Sequence, residues 1–476
     1  MSTRWAPRRA PRPRVPRFGT VAVLKVVWGT WRAERVGDAA IHRLQQERLG
    51  RLVRHARTAS PYYRRLYQGL PPRVSDPLLL PPVGKRDLMA HFDEWVTDPD
   101  VTLAGLERDF LPDLSLVGSP YLGRYHVFTT SGTTGEPAIL LHDRESWRVM
   151  HVVSRLRARR SIAMRNLVPQ LRRRGIRSAV LFATGGHYGG VVLTESTRRR
   201  SAFLARRVRV FSVLRPVAEL VEELNGFQPT FIGGYPSALA LLAAEQRAGR
   251  LWISPLRATS TGETMTATTR RAIETALGCP VIEGYGASEV PALAVQCALG
   301  SLHVNTDWYL LEPVDERYQP VPAGTLSHTV LVTNLANRVQ PVIRYDLGDR
   351  VELAATRCPC GSALPTVKVE GRTNDVLAFE LPDGRVVRVL PLALGTVIEE
   401  TPGVRRFQAI RTAPTTLTIR LEPTPGADPA TVWSAVTERL EGFLASHGAA
   451  AVCVERATEP PFADPRSGKF RQVWSV

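Results

Sequence analysis

The chain has 476 residues, of which 44% are hydrophobic and 22% charged, a composition typical of a soluble globular protein with two or three domains. The formal net charge is +18, yet only Lys25, Lys85, Lys368 and Lys469 are lysines among the 62 basic residues, so each of them is informative. Five cysteines and no run of about 20 apolar residues exclude a disulfide-built scaffold and a spanning helix, and favour a reducing compartment, for which we expect the cytoplasm.

The first predicted feature is a basic arm. Residues 1–18 are rich in arginine and proline, and we expect them to be disordered. Residues 1–39 as a whole are assigned to this arm and the start of a first helix. Between residues 32 and 67, apolar side chains recur at helical spacing, which predicts one or two helices that end near Ser60 and Pro61.

Residues 120–370 alternate short apolar strands with helical patterns, which is typical of an α/β fold. The predicted strands are Ala179–Phe182, Thr230–Ile232, Val281–Glu283 and Thr329–Thr333, and the predicted helices are Val217–Leu224, Ser237–Gln246 and Thr268–Leu277. After about residue 375 the pattern changes to that of a small α+β domain. Its predicted strands are Val386–Val389, Arg405–Ile410, Leu417–Leu421 and Val452–Arg456, and its predicted helix is Ala430–Leu444. We therefore predict domains at residues 40–372 and 373–476.

A loop made only of threonine, serine and glycine runs from Thr129 to Gly135 and is followed by Glu136 and Pro137. Glycines let backbone N–H groups approach a ligand closely, and hydroxyls add further donors, so such a loop can cradle phosphates. A Walker A loop is excluded because no Gly-Lys-Ser/Thr sequence ends it. A flexible hairpin turn is the alternative interpretation.

This loop and four later motifs occur in the order found in adenylate-forming enzymes, the superfamily of acyl-CoA synthetases, peptide-synthetase adenylation domains and luciferases, which the chain therefore resembles. The five motifs are Thr129–Pro137, Glu283–Glu289, Arg344–Asp349, Gly371–Asp375 and Pro465–Lys469. The segments 49–67 and 80–89 are similar to those that open members of the phenylacetate–CoA ligase family. The resemblance covers about residues 45–476 and implies a large N-terminal α/β domain with a small, mobile α+β domain after it.

The resemblance also implies a nucleotide site. The β- and γ-phosphates of ATP would bind the loop residues Thr130, Ser131, Gly132, Thr133, Thr134 and Gly135. Tyr285, beside Gly286, would stack on adenine, and Asp349 would accept hydrogen bonds from both ribose hydroxyls. Arg372 would contact the ribose or a phosphate, and Glu289 would bind Mg²⁺. The alternative interpretations are a core tyrosine at Tyr285 and a turn aspartate at Asp349.

The resemblance implies three catalytic residues, Lys469, Thr134 and Glu289, of which Lys469 is the cation. It would bridge the substrate carboxylate and the α-phosphate and stabilise the pentavalent transition state. An exposed terminal lysine is the alternative. The hinge between the domains falls at Asn374, where the family usually has aspartate. Because asparagine also tolerates turn conformations, we expect hinging to survive this departure.

The acyl pocket is matched to the glycine-rich segment 183–190. Its His187 and Tyr188 are the best candidates to face the acyl group, and a structural hydrogen-bonding role is the alternative for His187. Gly262 and Glu263 are further candidates for lining the nucleotide or acyl pocket. The family resemblance favours an aryl or aryl-acetic acid as substrate.

A second set of candidate site residues has side chains that can bind a metal ion: Cys297, His303, Cys358 and Cys360. Three thiolates and one imidazole complete a tetrahedral Zn²⁺ shell. Cys-x-Cys is less diagnostic than Cys-x-x-Cys, and 55 residues separate His303 from Cys358, so the spacing alone leaves zinc open. Some members of the phenylacetate–CoA ligase family carry a similar site, and the resemblance therefore implies a structural Zn²⁺.

The implied function is an ATP-dependent carboxylic acid ligase that forms an acyl-adenylate and transfers the acyl group to coenzyme A, with Mg²⁺. Two alternatives stay open: transfer to an amine, a hydroxyl or a carrier-protein thiol, and a non-enzymatic basic nucleotide-binding scaffold. Arginine clusters at residues 155–160, 172–177 and 198–209 lack an aromatic-interleaved RNA-binding signature, so we expect no nucleic acid partner. Monomer and homodimer both stay open.

Overall fold

The computed structural model describes residues 20–130, 138–159, 164–263, 265, 267–370, 377–389, 391–462 and 473–476. Several residues of the sequence prediction lie outside these ranges, namely the basic arm 1–18 and the sites Ser131, Gly132, Thr133, Thr134, Gly135, Arg372, Asn374 and Lys469. The geometry below therefore concerns the remaining predicted residues.

Fifteen α-helices lie in the described ranges, with two short 3₁₀ helices at Pro77–Leu79 and Leu114–Leu116. The α-helices are α1 (Thr20–Val36), α2 (Asp38–Ala59), α3 (Pro61–Leu66), α4 (Lys85–Ala90), α5 (Phe92–Trp95), α6 (Leu103–Asp109), α7 (Arg144–Ala158), α8 (Met164–Arg174), α9 (Gly189–Arg198), α10 (Ala202–Arg207), α11 (Val217–Phe227), α12 (Pro236–Arg247), α13 (Ala267–Leu277), α14 (Pro391–Glu399) and α15 (Pro429–Ser446).

Twenty strands accompany them in the same part of the chain. They are β1 (His126–Thr129), β2 (Ile139–His142), β3 (Ser178–Phe182), β4 (Val208–Ser212), β5 (Phe231–Gly234), β6 (Arg257–Ser260), β7 (Val281–Tyr285), β8 (Ala294–Gln296), β9 (Leu302–Val304), β10 (Tyr309–Val314), β11 (Thr329–Asn334), β12 (Tyr345–Asp346), β13 (Arg350–Leu353), β14 (Thr366–Glu370), β15 (Leu377–Glu380), β16 (Val386–Val389), β17 (Val404–Ala413), β18 (Thr416–Pro423), β19 (Cys453–Arg456) and β20 (Val473–Ser475). Every strand and helix predicted above between residues 179 and 456 overlaps one of these elements.

The boundary between α2 and α3 confirms the helix end predicted near Ser60 and Pro61. The Ser60 hydroxyl accepts a hydrogen bond from the Tyr63 backbone N–H at 3.3 Å, while Pro61 occupies the first helical position. A serine N-cap and a proline that needs no donor are the sequence features that begin a helix, so a new helix starts here at once.

The largest sheet has nine strands in the order β13-β14-β9-β8-β7-β6-β5-β3-β4. Strands β7, β6, β5, β3 and β4 are mutually parallel, whereas the pairings of β7 with β8, β8 with β9, β9 with β14 and β14 with β13 are antiparallel. Strand β7 is therefore the strand at which the two halves of the sheet meet. Because ligands bind at the carboxyl ends of parallel strands, this sheet directs attention to the loops after β3, β5, β6 and β7.

The last hundred residues form a separate sheet with the order β19-β18-β17-β20 and a two-stranded sheet of β15 and β16. Asp428 caps the N-terminus of helix α15, since its carboxylate accepts a hydrogen bond from the Thr431 N–H at 2.9 Å. Strands and helices mixed in this way confirm the α/β fold class with a smaller α+β region after it. In the described ranges, no helix combines the length and the apolar character needed to cross a membrane.

Candidate active site

A cavity of about 1830 Å³ opens at the carboxyl ends of the parallel strands. Eight of the predicted site residues line it: Thr130, Tyr188, Gly262, Glu263, Tyr285, Gly286, Glu289 and Asp349. They come from the loop after β1, the segment before α9, the loop after β6, the end of β7 and the turn before β13. The parallel half of the sheet explains this convergence, since its strands end at one edge.

Tyr285 and Asp349 are in direct contact within this cavity. The Tyr285 hydroxyl donates a hydrogen bond to the Asp349 carboxylate at 2.9 Å, although 64 residues separate them in the chain. Tyr285 ends β7, and Asp349 immediately precedes β13 at the far edge of the antiparallel half of the sheet. The pair thus places an aromatic ring beside a carboxylate in the cavity.

Gly286 follows Tyr285 and leaves no room for a side chain. A Cβ atom there would lie 2.6 Å from the Pro291 carbonyl oxygen and 3.0 Å from that of Val290. Both neighbours are backbone atoms, so any substitution must move the loop. That loop carries Glu289, and the glycine therefore determines where this carboxylate lies.

Glu289 is only 5% exposed, and burial raises the pKa of its carboxyl group. A hydrogen bond from Tyr345 and the charge of Lys85 lower the pKa, whereas nearby Asp349 raises it. A desolvated carboxylate beside a second carboxylate gains from a hard cation, because the cation replaces the lost hydration. The site is therefore chemically suited to Mg²⁺.

Two buried side chains fix the loop that carries Glu289 by hydrogen bonds to its backbone carbonyls. His142 donates through Nε2 to the Ser288 carbonyl at 2.7 Å and accepts from the Ser146 hydroxyl at Nδ1, at 2.8 Å. Burial lowers the pKa of His142 to about 4, so the ring stays neutral and can fill both roles. Asn334 donates from Nδ2 to the Glu289 carbonyl at 2.9 Å.

Lys85 and Lys368 also line the cavity, and sequence reasoning did not assign either of them. The segment that carries Lys85 is fixed by backbone hydrogen bonds: the Val83 N–H donates to the Arg344 carbonyl at 3.0 Å, and the Asp346 N–H donates to the Val83 carbonyl at 2.9 Å. These bonds attach the N-terminal segment to the motif that ends in Asp349. The scarcity of lysine was the sequence signal that could have found both residues.

Aromatic and apolar side chains make up part of the cavity lining. They include Phe128, Val180, Phe182, Tyr188, Leu193 and Tyr235. Phe182 and Tyr235 meet edge to face with ring centroids 5.1 Å apart. Gly262 has a φ of +89°, and a Cβ there would lie 3.0 Å from the Tyr235 ring, so the glycine leaves space for that ring.

His187 is not among the residues that line the cavity. Its side chain is buried, with its ring centroid 4.9 Å from that of Phe110, and burial lowers its pKa. Its backbone carbonyl accepts a hydrogen bond from the Thr129 N–H at 2.8 Å. In this structure the backbone of His187 thus joins the segment 183–190 to β1, while its neighbour Tyr188 lines the cavity.

Helix α14 and the start of β17 contribute a further wall through Thr396, Arg405 and Arg406. Next to them, Glu400 lies 3.5 Å from the Tyr188 hydroxyl, which donates to it. At the end of α14, burial raises the pKa of Glu399 to about 8, while the charge of Lys85 opposes this shift. The C-terminal region therefore lines the cavity through Thr396, Arg405 and Arg406, and carries a desolvated carboxyl group close by in the chain.

The raised pKa of Glu399 predicts a pH dependence. Between its ordinary pKa of 4.5 and about 8, the folded chain keeps this proton while the unfolded chain loses it, so stability falls as pH rises through this window. Glu399→Gln removes the effect, and we expect its melting temperature relative to wild type to be higher at about pH 8 than at about pH 5. Thermal melting at both pH values tests this, with Glu438→Gln, an exposed glutamate of α15, as control. An equal difference at both pH values would contradict the assignment.

The four predicted metal ligands come together outside this cavity. The ligand atoms of Cys297, His303, Cys358 and Cys360 all lie within 4.8 Å of one another. The Cys297 and Cys358 sulfurs are 3.9 Å apart, and the Cys360 sulfur is 3.3 Å from His303 Nε2. Nδ1 of His303 donates to the Leu364 carbonyl at 2.8 Å, which leaves Nε2 free to face the cluster.

Sheet topology explains why residues so distant in sequence meet. Strand β9 carries His303 and pairs with β14 in a register that places Thr366 opposite His303. Cys297 follows β8, the other neighbour of β9, and Cys358 and Cys360 lie in the connection between β13 and β14. Three soft ligands and one imidazole at these separations fit a tetrahedral zinc ion.

No protein-family profile matches the chain. In sequence it is 27% identical over 382 residues to phenylacetate-coenzyme A ligase of Thermus thermophilus, which covers 76% of each chain. It is 24% identical to phenylacetate-coenzyme A ligase of Aromatoleum evansii, over 83% of this chain and 84% of that one. In structure it is similar to 2-hydroxyisobutyryl-CoA ligase in complex with 2-HIB-AMP and CoA, with a TM-score of 0.58, 21% identity and coverage of 93% and 91%. These findings confirm the resemblance and the fold.

Proposed function

We propose that this chain, a relative of phenylacetate–CoA ligases with the fold of an acyl-CoA ligase, is an ATP-dependent carboxylate–CoA ligase. The observation that carries the proposal is the convergence of Thr130, Tyr285, Glu289 and Asp349 on one cavity, with Tyr285 bonded to Asp349. Thr130 would begin the loop that binds the phosphates, Tyr285 would stack on adenine, and Asp349 would hold the ribose.

In the first step, an oxygen of the substrate carboxylate attacks the α-phosphorus of ATP, and pyrophosphate leaves. No general base is needed because a carboxylic acid is already ionised near neutral pH. Glu289 would hold Mg²⁺ against the phosphates, and Lys469 with Thr134 would stabilise the charge that develops on the α-phosphate. In the second step, the coenzyme A sulfur attacks the acyl carbon, and AMP leaves.

The substrate we propose is an aryl or aryl-acetic acid. An aromatic ring gains from burial against Phe128, Phe182 and Tyr235, which line one side of the cavity and can contact it edge to face. Tyr188 would close the pocket from the side of Glu400. The finer choice among such acids depends on the size of the space between these rings.

We further propose that residues 373–476 form a domain that rotates about Asn374 between the two steps, with Arg372 contacting the nucleotide. The zinc ion would be structural, since Cys297, His303, Cys358 and Cys360 fill all four positions of a tetrahedral shell and leave none for substrate. Zinc would thus supply rigidity to the antiparallel half of the sheet and no step of the reaction.

The test is ATP–pyrophosphate exchange over a panel of aryl, aryl-acetic and fatty acids, repeated with coenzyme A and detection of the thioester. We expect exchange that depends on an aryl or aryl-acetic acid, and thioester formation once coenzyme A is added. Asp349→Ala should raise the KM for ATP by about tenfold or more, because it removes a charged hydrogen-bond acceptor. Exchange without thioester would instead assign an amine, a hydroxyl or a carrier-protein thiol as acceptor, and no exchange with any acid would contradict the proposal.

A further inference from the structure

Helix α1 presents an apolar stripe to solvent that the proposed ligase reaction does not use. Val21, Leu24, Trp28 and Trp31 are spaced three, four and three residues apart, so they lie on one face of the helix. All four are exposed, and the tryptophans retain 58% and 48% of their accessible surface. Single exposed apolar residues are ordinary on a protein surface, but four in a row over three turns form a continuous patch.

The opposite face of α1 is fixed against the protein, which prevents the stripe from turning inward. Val26 and Ala33 are buried, and the Thr30 hydroxyl accepts a hydrogen bond from Trp308 Nε1 at 3.1 Å. Glu34 forms an ion pair with Arg157, and that buried arginine also contacts Asp307 at 3.0 Å. The orientation of the helix is thus set by both apolar and charged contacts.

The charge on the outer face has one sign. Lys25, Arg32 and Arg35 are exposed beside the stripe, with the Arg32 guanidinium 5.1 Å from the Trp28 ring and that of Arg35 4.0 Å from the Trp31 ring. The only acidic residue in the sequence of α1 is Glu34, and it faces inward. Residues 1–19, which precede the helix in the sequence, contain six arginines and no acidic residue.

We propose that α1 binds flat on an anionic phospholipid surface. Tryptophan is the side chain that best occupies the level of the lipid headgroups, and an apolar stripe flanked by cations is the pattern of a helix that lies in the membrane interface. Lys25, Arg32 and Arg35 would contact the lipid phosphates. A nucleic acid would satisfy the cations but offers no apolar phase for Val21 and Leu24, whereas a lipid surface accommodates both.

The test uses the full chain and vesicles. We expect the wild type to co-sediment with vesicles of equimolar phosphatidylcholine and phosphatidylglycerol and to bind much less to phosphatidylcholine alone. The double variant Trp28→Ser with Trp31→Ser should lower the partition coefficient by at least about tenfold, because it removes most of the apolar area that enters the interface. Trp252→Ser, at a tryptophan that is 63% exposed elsewhere on the surface, is the matched control and should bind as the wild type does.

A second variant tests the cations. Lys25→Glu with Arg32→Glu should lower binding to the anionic vesicles by at least about tenfold, while acid-dependent ATP–pyrophosphate exchange in solution stays at the wild-type rate. Failure to bind anionic vesicles would overturn the proposal, as would binding that survives loss of both tryptophans. Conversion of a dimer to a monomer by the tryptophan variant, or RNA binding that requires the same tryptophans, would also overturn it.

Discussion

Replacing Lys469 by alanine should lower the rate of acyl-adenylate formation by about 10²–10³, the usual cost of removing a preorganised charge stabiliser. The lysine would contact the α-phosphate only as the carboxylate attacks, so ATP affinity should change little while Tyr285 and Asp349 remain. Lys469→Arg should also be poor, because a planar guanidinium cannot replace a compact ammonium at a crowded phosphate. ATP–pyrophosphate exchange and ATP binding, measured on the same preparations, separate the two effects.

Lys469→Ala should affect the rates of the two steps unequally. If the C-terminal region rotates after adenylation, thioester formation from a supplied acyl-adenylate should survive Lys469→Ala largely intact. Lys25→Ala is the matched control, since this exposed lysine of α1 has no role in the proposed reaction and should leave both steps unchanged. Adenylation by Lys469→Ala at the wild-type rate would make this lysine a surface residue and refute the role given to the C-terminal region.

Loss of the zinc site should destabilise the protein more than any other change considered. The purified chain should contain about one zinc per molecule, and Cys358→Ser should lower the melting temperature by on the order of 10 °C, because structural zinc contributes directly to folding. Below the melting temperature of the variant, its nucleotide affinity should change much less than its stability, because none of the four ligands lines the cavity.

Cys453→Ser is the control for the zinc prediction because this cysteine is exposed and lies outside the cluster. It should leave both zinc content and melting temperature unchanged. Metal analysis with thermal melting is sufficient for the comparison. Metal-free protein that melts at the wild-type temperature would show that the four side chains serve another purpose.

Local patterns predicted most of the elements, and the family resemblance named eight of the residues that line the cavity. Apolar runs predict strands such as β7, and the motif that contains Tyr285 and Glu289 begins within β7 and continues into the loop after it. Parallel strands then bring Gly262 and Tyr285 to one edge, because consecutive βα units wind in one direction. Local patterns do not show which side chain or backbone group each residue contacts in the folded protein.

The residues that were missed are those defined by pairing at long range. His142 was missed because its bond to Ser288 joins residues 146 apart, and nothing in the sequence around either one indicates it. Lys85 was missed because its position depends on the pairing of Val83 with the segment 344–346. The inward direction of His187 depends on contact with Phe110, which is likewise remote in sequence.

The meeting of Gly185 with Glu400 has a consequence for variation among related enzymes. A Cβ atom at Gly185, where φ is +100°, would lie 2.9 Å from a Glu400 carboxylate oxygen, and Tyr188 lies against the same carboxylate. A larger residue at position 185 or a shorter one at position 188 therefore changes the contact with Glu400, the residue that follows α14. Residues at these positions should therefore covary among related enzymes. A chimaera that takes its first 370 residues from one enzyme and its last hundred from another should have a mismatched pocket, unless both sides of this contact come from the same parent.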